Sequence, residues 1–206
     1  MNSQHNPARR KAIKKSAQAM GLAALSGAGM QGLAIAEDSA GTAIESKYGI
    51  LGYEAPELDV DYWIDADGDR SKFSIADSKG KWIVLKCFQN WCPGCHASGF
   101  PFLQAFAKEF HDHPKVAIAA IQTVFEGFST NTQDAVRKLQ LEYELPIVMG
   151  HDPGDPDGLN ISDTMLKYRT GGTPWIILID PDGVVAFNDF RVSTSKLIEF
   201  IYEQVA

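Results

Sequence analysis

The feature that most constrains the fold is Trp82-Ile83-Val84-Leu85-Lys86-Cys87-Phe88, a nearly continuous apolar run that leads within four residues to Cys92-Pro93-Gly94-Cys95. A run of that length without polar alternation suits a strand buried on both faces, and such strands belong to sheets covered by helices. Immediately beyond the dithiol, Phe102, Leu103, Phe106 and Phe110 recur on one helical face, with Pro101 expected to kink the helix. The expected kernel of the fold is therefore a central strand that passes through a CxxC into a helix.

Around that kernel, strand and helix signals alternate. Short strands are expected at 60–64 and 72–75, on either side of the Asp-Gly turn in Asp65-Ala66-Asp67-Gly68-Asp69. A strand at 116–124, a helix at 132–141, a strand at 146–149 and a short helix at 165–168 follow. The chain closes with strands at 175–179 and 184–187 around Pro181-Asp182-Gly183 and a helix at 193–205. The Asp- and Pro-rich stretch 151–158 reads as an inserted loop. This alternation is the α/β pattern, and 206 residues with 45% hydrophobic content suit one domain. That domain is expected over 56–206, preceded by a linker or extension at 37–55. The acids of 65–69 do not form a calcium loop, because Arg70 and Ala76 stand where an EF-hand places Gly and Glu.

Two cysteines at this spacing serve zinc, haem or thiol chemistry. Structural zinc needs four ligands, and the only further cysteine is Cys87, inside the strand. Cys92-Pro93-Gly94-Cys95-His96 matches the CxxCH haem pattern, but its position between a buried strand and a helix leaves little room to enclose a porphyrin. The placement favours thiol chemistry with no cofactor. A cysteine at a helix start feels unpaired backbone N–H groups and their partial positive charge, which favour the thiolate. Cys92 is the expected attacking thiol, and Cys95, one turn in, the thiol that resolves its mixed disulfides.

Phe88-Gln89-Asn90-Trp91-Cys92-Pro93-Gly94-Cys95 resembles the active-site segment of the thioredoxin superfamily. Gly172-Thr173-Pro174 before an apolar strand resembles its cis-proline loop, and Ile179-Asp180-Pro181-Asp182-Gly183 resembles the strand and turn that follow in TlpA-like and ResA-like exported thiol-disulfide oxidoreductases. The resemblance implies a thioredoxin-like fold, with a central mixed β-sheet flanked by helices, over about 56–205. It also implies that Thr173 and cis-Pro174 offer backbone groups to a substrate strand. Trp91 and Trp175, beside motif residues, are expected at the rim of the site. Pro101 follows Cys95 by six residues where the family has five, which predicts a shifted kink or a bulge. Lys86 stands where thioredoxins carry a buried acid; it either lies buried near the dithiol, favouring thiolate, or snorkels to the surface. His96 is a second candidate modulator. Cys87 reads as a small buried hydrophobe, and His111 and His113 as residues of a solvated turn.

The first 36 residues carry Arg9, Arg10, Lys11, Lys14, Lys15 and no acid, and end on Ala34-Ile35-Ala36. This is the layout of a cleavable export signal, and Arg9-Arg10-Lys11-Ala12-Ile13-Lys14 resembles a twin-arginine signal. The expected location is the periplasm, without stable membrane insertion. The net charge of −7 becomes −12 without this segment, which argues against a nucleic-acid partner. The expected function is a reductase-leaning thiol-disulfide oxidoreductase that acts on protein thiols and disulfides and is served by a membrane thiol-reducing partner. Two rivals have specific requirements. A peroxiredoxin-like peroxidase using Cys95 places Pro and Thr seven and three residues before it, where this chain has Phe88 and Cys92. A copper-handling module of the same fold needs His96 or His151 beside the two thiolates.

Overall fold

A computed structural model describes residues 47–155 and 158–206. The export signal read at 1–36, and residues 37–46 of the extension, lie outside the described residues. Among the described residues six strands form one mixed sheet: β1 (Tyr62–Ile64), β2 (Trp82–Phe88), β3 (Val116–Thr123), β4 (Val148–Asp152), β5 (Trp175–Ile179) and β6 (Val185–Asp189). Their spatial order is β1-β4-β3-β2-β5-β6. β2, β3 and β4 run parallel, while β1, β5 and β6 pair antiparallel with β4, β2 and β5.

β2 lies at the centre of the sheet, and all seven of its residues are buried. Because side chains alternate across a strand, it feeds two cores. Val84 and Phe88 join one beneath helices α1 (Phe100–Phe110), α2 (Gln133–Glu142) and α4 (Thr194–Val205), to which Leu103, Phe106, Leu139 and Ile201 contribute. Ile83, Leu85 and Cys87 join the other, with Trp63, Trp175 and Tyr168 of the short helix α3 (Asp163–Tyr168). The apolar run is continuous because neither face meets water. Thr132 caps α2, its hydroxyl accepting from the Ala135 N–H at 3.3 Å.

Several boundaries differ from the sequence reading. No strand forms at 72–75; only Arg70 bridges to Ile64, and the Glu57 carboxylate accepts from the N–H groups of Ile75 and Ala76 at 2.8 and 3.0 Å. Those donors are satisfied by a side chain and have no need of a ladder. β4 begins two residues later than expected and extends through His151 and Asp152, so these belong to the sheet rather than to an inserted loop. His151 faces Tyr62 of β1 and Gln122 of β3. In the expected extension, residues 47–55 are tied to the sheet. Gly49 N–H donates to Arg169 O, Gly52 N–H to Val185 O and Ala55 N–H to Gly183 O, each at 2.8 Å.

Candidate active site

The chain leaves β2 through Gln89-Asn90-Trp91 and begins to wind at Pro93. Residues Cys95–Gly99 form a π turn, and α1 continues from Phe100 with Pro101 in its first turn. The π turn absorbs the extra residue between Cys95 and Pro101. Pro101 follows this turn after Phe100, and the expected kink becomes a bulge beside the dithiol.

The three cysteines are free thiols. Cys92 is 6% exposed, and its Sγ accepts from the Cys95 N–H at 3.3 Å and lies 3.5 Å from the Thr173 carbonyl oxygen, to which its S–H donates. The Cys92 carbonyl receives the N–H groups of Cys95 and His96 at 3.0 and 3.2 Å. A helix-start N–H thus points at the Cys92 sulfur. Cys95 is fully buried. Burial pushes its pKa up, the adjacent Cys92 adds to the rise, and Cys95 is held as a thiol. The two sulfurs therefore differ: one keeps slight exposure and a backbone donor, the other is fully enclosed and protonated.

The Thr173–Pro174 peptide bond is cis. Pro174 packs against the active-site segment at two glycines. A Cβ on Gly94 would lie 3.0 Å from Pro174 Cδ, and one on Gly99 would lie 3.3 Å from Pro174 Cβ. Only glycine allows this approach without displacing a neighbour.

Trp91 is 44% exposed beside Cys92, its indole N–H donating to Gln89 Oε1 at 2.9 Å. Trp175 does not line the rim. It lies in the core on the opposite face of the sheet, edge-on to Phe190 and Tyr48. His96 is bonded on both sides: Nε2 lies 2.6 Å from Asn90 O and Nδ1 2.6 Å from Tyr143 Oη. A carbonyl only accepts, so Nε2 carries the hydrogen of that bond. Lys86 is buried, at 3% exposure, which decides between the two placements left open for it. Cys87 lies on the other face of β2, where burial raises its pKa to about 12. His111 caps back onto Ala107 O and pairs with Asp112.

Sequence reasoning missed the residues that hold the loop in place. Asn131 accepts from the Asn90 N–H at 2.8 Å and donates to Gln89 Oε1 at 2.9 Å. Tyr143 stacks on Phe100 with centroids 4.4 Å apart. These partners lie some forty residues from the motif, and no local spacing marks them. The geometry that the copper reading needed is not assembled among the described residues: His96 is engaged as above, and His151 Nδ1 donates to Gln122 Oε1 at 2.7 Å, two strands from β2. A cleft of about 460 Å³, lined by Asp59, His151, Asp152 and Asp163, opens beside β4 and includes neither thiol.

Comparison with known proteins agrees with this geometry. Residues 51–188 match the AhpC/TSA family. The chain is 26% identical over 145 residues to the thioredoxin-like protein YneN of Bacillus subtilis, covering 69% of this chain and 72% of that one. It is 24% identical over 155 residues to the thiol-disulfide oxidoreductase ResA of Bacillus cereus, covering 75% and 78%. Among solved structures, a thiol-disulfide isomerase from Corynebacterium glutamicum aligns with a TM-score of 0.64 and 30% identity over 74% of this chain and 97% of that one. A dithiol at the start of a helix, a cis-proline packed on it and a mixed sheet behind both place the chain in the AhpC/TSA family, as a thioredoxin-like protein of the thiol-disulfide oxidoreductase class.

Proposed function

We propose that the protein exchanges disulfides with protein thiols in the periplasm, with Cys92 attacking and Cys95 resolving. Acting as a reductant, the Cys92 thiolate attacks one sulfur of a substrate disulfide. A Cys92–substrate disulfide forms, and the other substrate sulfur leaves as a thiolate and takes a proton. Cys95 then loses its proton and attacks Cys92 Sγ, closing the Cys92–Cys95 disulfide and releasing the second substrate thiol. Two electrons pass to the substrate, and the reverse sequence oxidises it.

The observation that carries this reading is the unequal pair: Cys92, slightly exposed and with the Cys95 N–H on its sulfur, and Cys95 fully enclosed. Trp91, Thr173 and Pro174 border Cys92 and are assigned to substrate binding. Lys86 and His96 modulate the site. The periplasmic location rests on the basic, then apolar, then Ala-Ile-Ala layout of the first 36 residues, and a membrane thiol-reducing partner would restore the dithiol after each turnover. A peroxidase reading is disfavoured. Phe88 packs edge-on against Phe100 and Cys92 heads the helix, so neither position offers the groups that orient a peroxidatic thiolate.

The test is reduction of insulin by dithiothreitol. The protein is expected to accelerate precipitation, and Cys92→Ala is expected to abolish the acceleration. Full activity of Cys92→Ala would contradict the assignment.

A further inference from the structure

Lys86 occupies the middle of the central strand, with Ala120 of β3 and Ile176 of β5 as its register partners. By alternation it shares the face of Val84 and Phe88, under α1, and its ammonium lies 5.2 Å from the Phe102 ring centroid. A Cβ on Gly99 would stand 3.5 Å from Lys86 Cε, 3.3 Å from Pro174 Cβ and 3.7 Å from Cys95 Cβ. The lysine stem therefore ends where the π turn, the cis-proline loop and the buried thiol converge. Among the described residues no carboxylate pairs with it. The elements packed around it present Ala120, Ile176, Phe102 and Gly99, none of them charged. The titratable groups near it are Cys92 and Cys95, together with Cys87, its strand neighbour on the opposite face.

A buried ammonium without an anion is costly, and one beside a thiolate is much less so. The only anions available here are thiolates, and they exist only while the dithiol is reduced. We propose that Lys86 is the counter-charge of the reduced dithiol: it favours the reduced form, makes the disulfide a stronger oxidant, and takes up a proton when the disulfide is reduced. Burial lowers the Lys86 pKa to about 8 in the reduced protein, while Cys87, Cys95 and Cys92 each raise it. Closing the disulfide removes the two thiols from that balance, so the ammonium loses its proton more readily.

This inference rests on the disulfide exchange proposed above, and its balance is explicit. The disulfide form with neutral Lys86 reacts with two glutathione thiols. One glutathione disulfide leaves with the two electrons accounted for, the Cys92–Cys95 bond opens to a Cys92 thiolate and a Cys95 thiol, and the two glutathione protons end on Cys95 and Lys86. With methionine at position 86 the second proton goes to solvent. Reduction of that variant then gains from rising pH wherever Cys92 is released as a thiolate, while the wild type changes little until Lys86 itself titrates.

The experiment is equilibration of the full-length protein in glutathione redox buffers at pH 7 and pH 9, with the reduced fraction read by alkylation and intact mass. Lys86→Met is expected to lower the equilibrium constant for reduction about tenfold at pH 7 and less than about twofold at pH 9, because the wild-type lysine is then mostly neutral. Lys86→Arg, which keeps its charge at both pH values, is expected to match or exceed the wild type at pH 7 and to hold that advantage at pH 9. Equal constants for wild type and Lys86→Met at pH 7 overturn the inference. So does a difference that is the same at both pH values, which marks a packing effect. Lack of exchange with glutathione in all three proteins overturns the proposed function itself, and the inference with it.

Discussion

At the scale of single residues, the site separates into what local chemistry announces and what burial decides. Cys92, Cys95 and Pro174 were legible because each sits in a short motif whose spacing carries the chemistry. Lys86 was legible only as a question, since a lysine in a strand can be enclosed or can snorkel. The sheet order answers it. β2 is flanked by β3 and β5 and covered on both faces, so the four-carbon stem has no short route to water. The folded protein bears a cost for this. Between pH of about 8 and about 10.4 the unfolded chain keeps a proton on Lys86 that the folded chain has released, so stability rises with pH across that window. Below pH 8 the folded state carries the whole penalty. Lys86→Met is therefore expected to stabilise the reduced protein by roughly 2 to 3 kcal/mol at pH 7, with the gain shrinking above about pH 8 and smaller at pH 9. Urea unfolding at both pH values measures it, and a destabilised variant at pH 7 would contradict the account of Lys86 as a buried cation whose desolvation the thiols offset only in part.

At the scale of elements, the strands and helices with strong periodicity lie where the sequence puts them: β2 and β5 at the expected limits, and α2 and α4 within a residue at their starts. The failures share a cause. The run 72–75 has strand composition, but the Glu57 carboxylate takes its last N–H and that of Ala76, a contact across 18 residues that no local pattern reveals. β4 reaches His151 and Asp152 because β1 and β3 offer them ladder partners, which outweighs their polar character. The π turn was half legible. The spacing of Pro101 demanded an adjustment, but only the structure shows that it brings Gly99 against Pro174 and Lys86. Gly94 is the tighter approach, with Pro174 Cδ at 3.0 Å from its virtual Cβ. Gly94→Ala is expected to push the cis-proline loop away from the dithiol and to cost about 1 to 2 kcal/mol in stability by overpacking. It should slow exchange with protein disulfides more than exchange with oxidised glutathione, which needs less of the loop. Unchanged stability together with unchanged protein exchange would show that the loop does not bear on the helix as described.

At the scale of the molecule, the sheet delivers its central strand and the antiparallel β5 to one end, so that the dithiol and Thr173–Pro174 meet although about eighty residues separate them. Helices α1, α2 and α4 on one face, and α3 with the segment 47–55 on the other, close the two cores behind that meeting point. Family membership and architecture agree on thiol-disulfide exchange, and the asymmetry of the two sulfurs supports the proposed order of action. The most direct test traps the intermediate. Cys95→Ala and Cys92→Ala, each reduced and then mixed with a protein disulfide substrate, are quenched with acid and analysed by intact mass. Cys95→Ala is expected to accumulate a mixed disulfide through Cys92 because nothing resolves it, whereas Cys92→Ala, with its remaining thiol fully buried, forms none. Equal trapping by both variants, or trapping by Cys92→Ala alone, would contradict the account.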